Sequence, residues 1–347
     1  MKILYTGPLT SGDTCELRRH VLERVGHQTI PVDYLPFVRG YEGLARRVQW
    51  HLRMGPMVRD YNRALEEALA TAPDILWVDK GIFVTPATLA SARRAGVRWL
   101  VHYSPDNYLL RENSSRHLWR SMSQYDLVAT TKRHNATLLG ATGARKIVLS
   151  GNAYDSEIHR PVALTPAEQD VLGTDVSFIG RWERSRQRLL EPLAASPIRL
   201  RVCGPGWERV RSGPLRDACV PGAIYGDDYA KAIAGAKINL GLLSTIAGDA
   251  ITQRSIEIPA CGAFMLAENT SEHAAHFVDR QEAAFFDGAD DLVAKVHHYL
   301  ADDAARERIA AGGRARCLRS GYSYEARLTE ILETLERTVP VRRSAAA

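Results

Sequence analysis

The chain has 347 residues, 45% apolar and 24% charged, and its 45 basic and 40 acidic side chains leave a net charge of +5. That is the make-up of an ordinary globular protein with about two domains, at roughly 100–200 residues each. The mild basic excess demands no nucleic-acid partner and suits a small anionic ligand. No run reaches the ~18 apolar residues of a membrane span, so any membrane contact would be peripheral.

Met1–Gly7 reads as a strand running into a glycine turn, too soon interrupted for a signal peptide. A helix follows over 15–25, with Leu17, Val21, Leu22 and Val25 on one face and Gly26 at its stop. Residues 35–70 read as mostly helical. Ile75–Val78 is a buried strand, and Thr85-Pro86 opens a helix that Gly96 ends. Strands at 99–103, 126–129 and 146–149 complete an alternation that predicts a parallel sheet covered on both faces. The pattern breaks from Gly151 to Pro166, where the linker is placed. It restarts with strands at 176–179, 198–203, 238–243 and 263–267. A basic helix begins near Arg184, another helix spans 253–260, and three closing helices cover 288–300, 302–319 and 324–337. The tail from Arg342 to Ala347 is expected to fray. Five dispersed cysteines, Cys15, Cys203, Cys219, Cys261 and Cys317, lack any CxxC spacing. They point to reduced thiols in a cytoplasmic protein and to no zinc site.

Several strand ends carry chemistry. The first turn, Gly7 to Thr14, places Gly12 and Asp13 where backbone can approach a ligand, or where Asp13 or Thr14 simply caps the next helix. It is not GxGxxG, which disfavours a nicotinamide oxidoreductase. Asp106, in Tyr103-Ser104-Pro105-Asp106-Asn107, could take a proton from an acceptor hydroxyl, or close an Asx turn. Lys80 could meet a phosphate, or pair locally with Asp79. After Phe178-Ile179-Gly180, four arginines fall within eight residues at a helix start. Positive charge there opposes the helix dipole unless an anion is bound, so Arg181, with Arg186 or Arg188, is read as a pyrophosphate clamp. The alternative is a solvated basic face. In Asp249–Phe264 the carboxylate of Glu257 could hold both hydroxyls of a ribose, and Arg254, one turn earlier, could pair with it or bind phosphate.

At Glu257-Ile258-Pro259-Ala260-Cys261-Gly262 the sequence resembles the donor-site stretch of GT-B glycosyltransferases, in the spore-maturation-protein-B-like (CgeB-like) branch. The likeness runs in order through Gly12-Asp13-Thr14, Arg18, Gly26-His27, Val78-Asp79-Lys80-Gly81, Tyr103-Ser104-Pro105-Asp106, Tyr125–Val128, Thr131-Lys132, Phe178-Ile179-Gly180, Tyr299-Leu300 and Tyr322-Ser323-Tyr324. It implies two Rossmann-like α/β domains facing a cleft, with C-terminal helices packing back toward the first domain. It further implies a nucleotide-sugar donor held by the second domain and an acceptor held by the first. In the related Glu-x7-Glu motif the second glutamate, matched by Glu257, holds the ribose; the first, which touches the sugar, is replaced by Asp249. The basic residue of the glycine–arginine loop maps to Arg181, and Arg186 stands in for an absent lysine. Asn107 replaces a second aspartate.

The expectation is therefore an acceptor domain over 1–155, a donor domain over 165–325 and a closing helix with tail over 326–347. Donor binding falls to Gly12, Gly180, Arg181, Arg186, Asp249, Arg254 and Glu257, and catalysis to Asp13 and Asp106. The partners are a nucleotide-diphosphate sugar as co-substrate and a hydroxyl acceptor (glycan, protein, lipid or small molecule), with no metal and no cofactor. A nucleotide-sugar epimerase on the same fold, or a non-catalytic nucleotide-sugar-binding module, are the competing readings.

Overall fold

The computed structural model describes residues 1–10 and 12–338. Ser11 of the first glycine turn and the tail expected to fray lie outside the described residues. The chain forms two compact units: residues 1–151 together with the helix Tyr324–Thr338, and residues 152–323.

The first unit holds strands β1 (Lys2–Gly7), β2 (Gln28–Asp33), β3 (Ile75–Asp79), β4 (Trp99–Ser104), β5 (Leu127–Thr130) and β6 (Ile147–Leu149). They form one parallel sheet in the order β2-β1-β3-β4-β5-β6. β3, β4 and β5 are buried at every position, as continuous β-branched and aromatic runs in a doubly covered sheet must be. On one face Tyr5 stacks on Trp77 at 6.4 Å between ring centres, and Trp77 on Tyr103 at 6.2 Å, so three adjacent strands share an aromatic ladder.

The second unit repeats the plan with β7 (Thr174–Ile179), β8 (Leu200–Cys203), β9 (Cys219–Val220), β10 (Ala236–Gly241), β11 (Met265–Glu268) and β12 (Ala284–Phe286). Its parallel order is β12-β11-β10-β7-β8-β9. One apolar cluster gathers Phe178, Leu190, Trp207, Leu240 and Leu292, and another gathers Tyr229, Ile233, Ile256, Ile258 and Phe285.

Three strands escaped the sequence reading. β2 carries Pro31 and is half exposed, so it shows neither an apolar run nor alternation. β9 and β12 have two and three residues, too few to show a period. The stretch 35–70 divides into helices Leu35–Arg39, Gly43–Leu52 and Pro56–Ala68, broken at Gly40 and at Gly55-Pro56. The strand expected at 126–129 is one residue late because Asp126 leaves it. Its buried carboxylate accepts from the backbone N–H of Leu100 at 2.8 Å and pairs with Arg93.

Each sheet has a point where its order reverses, and ligands of open parallel sheets bind beyond the carboxyl ends of the strands there. In the first unit it lies between β1 and β3, and in the second between β7 and β10.

Candidate functional site

In the second unit, the loops after β7 and β10 flank the reversal. Gly180 ends the first of these strands, with its N–H on Cys203 O at 2.8 Å and its carbonyl taking the Trp207 indole N–H at 2.8 Å. A Cβ on Gly180 would meet Phe178 Cζ at 2.7 Å and Arg254 Cζ at 3.2 Å. Only a glycine lets the Arg254 guanidinium lie against this strand end. Arg254 Nη2 donates to Leu242 O at 3.3 Å, and its guanidinium sits 5.6 Å from the centre of the Phe178 ring. Its Nε is buried with no acceptor among the described residues.

One turn on, Glu257 is 7% exposed on a helix that runs Arg254–Ala260. It does not pair with Arg254. The Tyr229 hydroxyl donates to its Oε2 at 2.7 Å, and His159 Nε2 lies 3.4 Å from its Oε1. Both carboxylate oxygens thus face polar partners. Tyr229 comes from the helix Gly226–Ala234, which the sequence reading left out, and His159 from the stretch read as linker. The isolated Pro161 after His159-Arg160 hid that role, since it reads as a breaker.

The two arginines of the expected clamp separate. Arg181 is exposed just beyond Gly180. Arg186 is 4% exposed and turned inward: Nε donates to Leu243 O at 2.9 Å, Nη1 to Arg181 O at 2.9 Å, and Nη1 lies 3.2 Å from Glu183 Oε1. As an open phosphate ligand Arg186 is therefore corrected to a brace that ties the loop after β7 to the loop after β10. Burial, with Arg254 nearby, lowers its pKa to about 10 despite Glu183, Asp249 and Glu268. Glu183 carries the same tie further, since Thr245 Oγ1 and the Ile246 N–H approach its Oε2 at 3.5 and 3.4 Å. Asp249 ends that loop, its N–H on Ser244 O at 2.9 Å. At the end of β11, Glu268 accepts from the Leu243 N–H at 2.6 Å, and burial raises its pKa.

Beneath the Arg254–Ala260 helix, Ser255 donates to the buried His273 Nε2 at 2.7 Å. His273 Nδ1 lies 2.6 Å from Glu268 O, which assigns the ring proton to Nδ1. Burial lowers the His273 pKa to about 4, so the ring is neutral.

In the first unit, Gly7 ends β1 so close to β3 that a Cβ on it would lie 3.1 Å from Asp79 Cβ. Asp79 does not pair with its neighbour Lys80. Its Oδ2 accepts from Arg18 Nε at 2.7 Å and from the Tyr5 hydroxyl at 2.6 Å, and its Oδ1 from Arg18 Nη2 at 3.1 Å. Arg18 lies over the Tyr103 ring at 4.5 Å and reaches the Tyr324 hydroxyl at 3.2 Å. Lys80 takes a left-handed backbone, φ 64°, rare for a side chain with a Cβ, and its N–H reaches Tyr103 O at 2.9 Å. Its Nζ lies 3.5 Å from Asp106 Oδ2. Burial works against the Lys80 charge, but the neighbouring Cys15, Asp106, Asp13 and Asp79 hold its pKa above the ordinary lysine value. The turn after the proline is closed by Asn107, whose Oδ1 takes the Leu109 N–H at 2.9 Å, so the Asp106 carboxylate is left for Lys80. Asp13 caps the helix Thr14–Arg24 through the Cys15 N–H at 3.0 Å, next to Gly12 at φ 81°.

Among the described residues, no helix is long and apolar enough to cross a membrane, and no group of three or more His, Cys, Asp or Glu could hold a metal ion.

Residues 184–333 match a family model described as glycosyl transferase-like. No curated protein matches the chain. Among solved structures, sucrose-phosphate synthase from Thermosynechococcus elongatus is 13% identical, covers 97% of this chain and 98% of its own, and superposes with a TM-score of 0.67. Anabaena HepE in complex with UDP and glucose is 15% identical over 97% and 99%, with a TM-score of 0.63. A glycosyltransferase from Rickettsia africae is 13% identical over 96% and 97%, with a TM-score of 0.67. The fold is that of GT-B glycosyltransferases, and the family match contains Arg186, Asp249, Arg254 and Glu257.

Proposed function

We infer that this chain, glycosyl transferase-like over residues 184–333 and GT-B in fold, moves a sugar from a nucleotide-diphosphate donor to a hydroxyl acceptor. The observation that carries the reading is that Gly180 and Arg254 meet at the sheet reversal of the second unit, with Glu257 one turn further along the Arg254–Ala260 helix, inside or beside the matched segment. The solved structure of HepE holds UDP and glucose, and the donor proposed here is of the same chemical class.

In this reading Glu257 takes the ribose hydroxyls through oxygens that Tyr229 and His159 already orient. Arg254 and Arg181 face the diphosphate, whose charge grows as the glycosidic bond breaks; stabilising that charge is the largest catalytic term of such a transfer. Arg186 fixes both loops rather than touching the donor. Asp249 stands at the position that contacts the sugar. On the acceptor side Asp106, held by Lys80, receives the hydroxyl proton or orients the hydroxyl, and Asp13 lines the same strand ends. No metal is assigned a part, the CgeB-like branch is the proposed subfamily, and the cytoplasm is the proposed compartment.

Thermal shift against UDP-, GDP-, ADP-, CDP- and dTDP-sugars tests the reading, because a ligand that binds the folded chain raises its melting temperature by mass action. At least one donor should stabilise the parent and stabilise Glu257→Ala less at the same concentration. Silence from the whole panel would remove the donor assignment.

A further inference from the structure

The helix Gly43–Leu52 has no buried residue. It touches the body of the first unit through Trp50, whose ring packs 5.3 Å from Phe83, and through Gln49, whose Oε1 takes the Met57 N–H at 2.8 Å. At about 100° per residue, Leu44, Val48 and Leu52 fall on a single stripe, centred roughly opposite Trp50. They are 76%, 44% and 61% exposed, and Met54, just past the helix, is 57% exposed. Four of the twelve large apolar side chains exposed among the described residues thus lie within eleven positions.

The helix end is firmly built. Arg53 adopts φ 54°, is buried, and reaches across to Glu112 O at 2.8 Å while covering the Trp50 ring at 4.5 Å. The exposed stripe therefore belongs to a fixed helix and not to a fraying end. Its surroundings are basic: residues 39–63 hold six arginines against Glu42 and Asp60. Asp60 already pairs with Arg63 at 2.9 Å, while Arg39, Arg46 and Arg47 are exposed and form no ion pair among the described residues.

We propose that this helix docks the first unit on an anionic lipid surface, its leucine–valine stripe entering the headgroup boundary and its arginines meeting lipid phosphates. A short helix with one exposed apolar stripe in a basic setting of unpaired arginines is the chemistry of interfacial binding. A second copy of the chain is a poorer occupant. Three side chains fall far short of the roughly 800 Å² per partner of a stable interface, and the arginines of two copies would repel.

The test is flotation of the full chain with vesicles of equimolar phosphatidylglycerol and phosphatidylcholine, against phosphatidylcholine alone. The parent should float with the anionic vesicles, release them at about 0.5 M salt, where screening shortens to a few ångströms, and ignore the neutral ones. Leu44→Gln/Val48→Gln/Leu52→Gln should lose about tenfold or more of the bound fraction, as should Arg46→Glu/Arg47→Glu, with melting temperatures unchanged because these positions are exposed. Parent protein that does not float, variants that float equally, or a parent dimer that the triple variant dissolves would each overturn the proposal. Vesicle binding reads no sugar transfer, so it stands or falls apart from the donor assignment.

Discussion

Arg18 grips both carboxylate oxygens of Asp79, at 2.7 and 3.1 Å, with neither side chain exposed. The pair fixes the end of β3 and thereby the left-handed turn from which Lys80 reaches Asp106. Breaking one half of such a pair leaves a buried charge without its partner, which costs about 3–5 kcal/mol. Arg18→Leu should lower unfolding stability in urea by that amount. Arg18→Leu/Asp79→Leu should recover part of it, since an apolar pair leaves no stranded charge. A double variant as weak as the single would show that the cost lies in packing and not in charge.

Glu257 offers a sharper probe of the donor site. Removing its carboxylate takes away charged hydrogen bonds worth roughly 1–3 kcal/mol, or about 5- to 150-fold in Kd for the nucleotide. Tyr229→Phe should have a smaller effect of the same sign, because it only loosens the orientation of Oε2. Calorimetric titration of both variants with the stabilising nucleotide checks the order.

Two glycines should differ in predictable degree. At Gly180 an added Cβ meets two side chains, the buried ring of Phe178 at 2.7 Å and the guanidinium of Arg254 at 3.2 Å. At Gly204, φ is 136° and the Cβ would lie 2.2 Å from Gly180 O, which is backbone. Overpacking of this kind costs typically about 1–3 kcal/mol. Gly204→Ala should sit at or above the top of that range and Gly180→Ala lower within it, read from urea midpoints. Gly180→Ala should lose nucleotide affinity out of proportion to its stability loss, because the Cβ also crowds the Arg254 guanidinium, at 3.2 Å.

Acid should weaken the fold through His273. Its folded pKa is about 4, against 6.5 for the free side chain, because burial disfavours the cation. Below pH of about 6.5 the unfolded chain takes up a proton that the folded ring refuses. The stability is complete above that pH and declines as pH falls toward 4, by up to roughly 3 kcal/mol. His102, also lowered to about 4 by burial, adds a slope of the same sign. Melting temperatures from pH 7 to pH 4.5 should drop, and His273→Gln should drop less steeply than the parent. A parallel decline in both would discount this residue.

The alternation of strands and helices was plain in the sequence because β3, β4 and β5 are mostly apolar, fully buried runs; β2, β9 and β12 are edge or very short strands that carry no such mark. Gly180 was legible as a candidate because it follows a strand end, and Arg254 and Glu257 because a base and an acid fall one turn apart on a helix that feeds a strand. What they touch was not. Arg186 looks identical to Arg181 in sequence, yet one is swallowed by carbonyls from a loop over fifty residues away and the other is exposed. Lys80 and Asp79 are adjacent, and adjacency suggests a pair; Asp79 ends β3 while Lys80 already turns off it at φ 64°, and the two found different partners. Tyr229 and His159 carried no signal because a carboxylate's partners are set by packing and not by spacing.

The helix Tyr324–Thr338 belongs with residues 1–151, and its first residue supplies the hydroxyl that Arg18 meets. On the ribosome the amino-terminal half therefore completes its packing only after everything between has been translated, its buried arginine one partner short until then. A contiguous stretch, 152–323, can mature in the meantime. Fragments cut at residue 151 should inherit that incompleteness, whereas the intervening piece should be obtainable by itself.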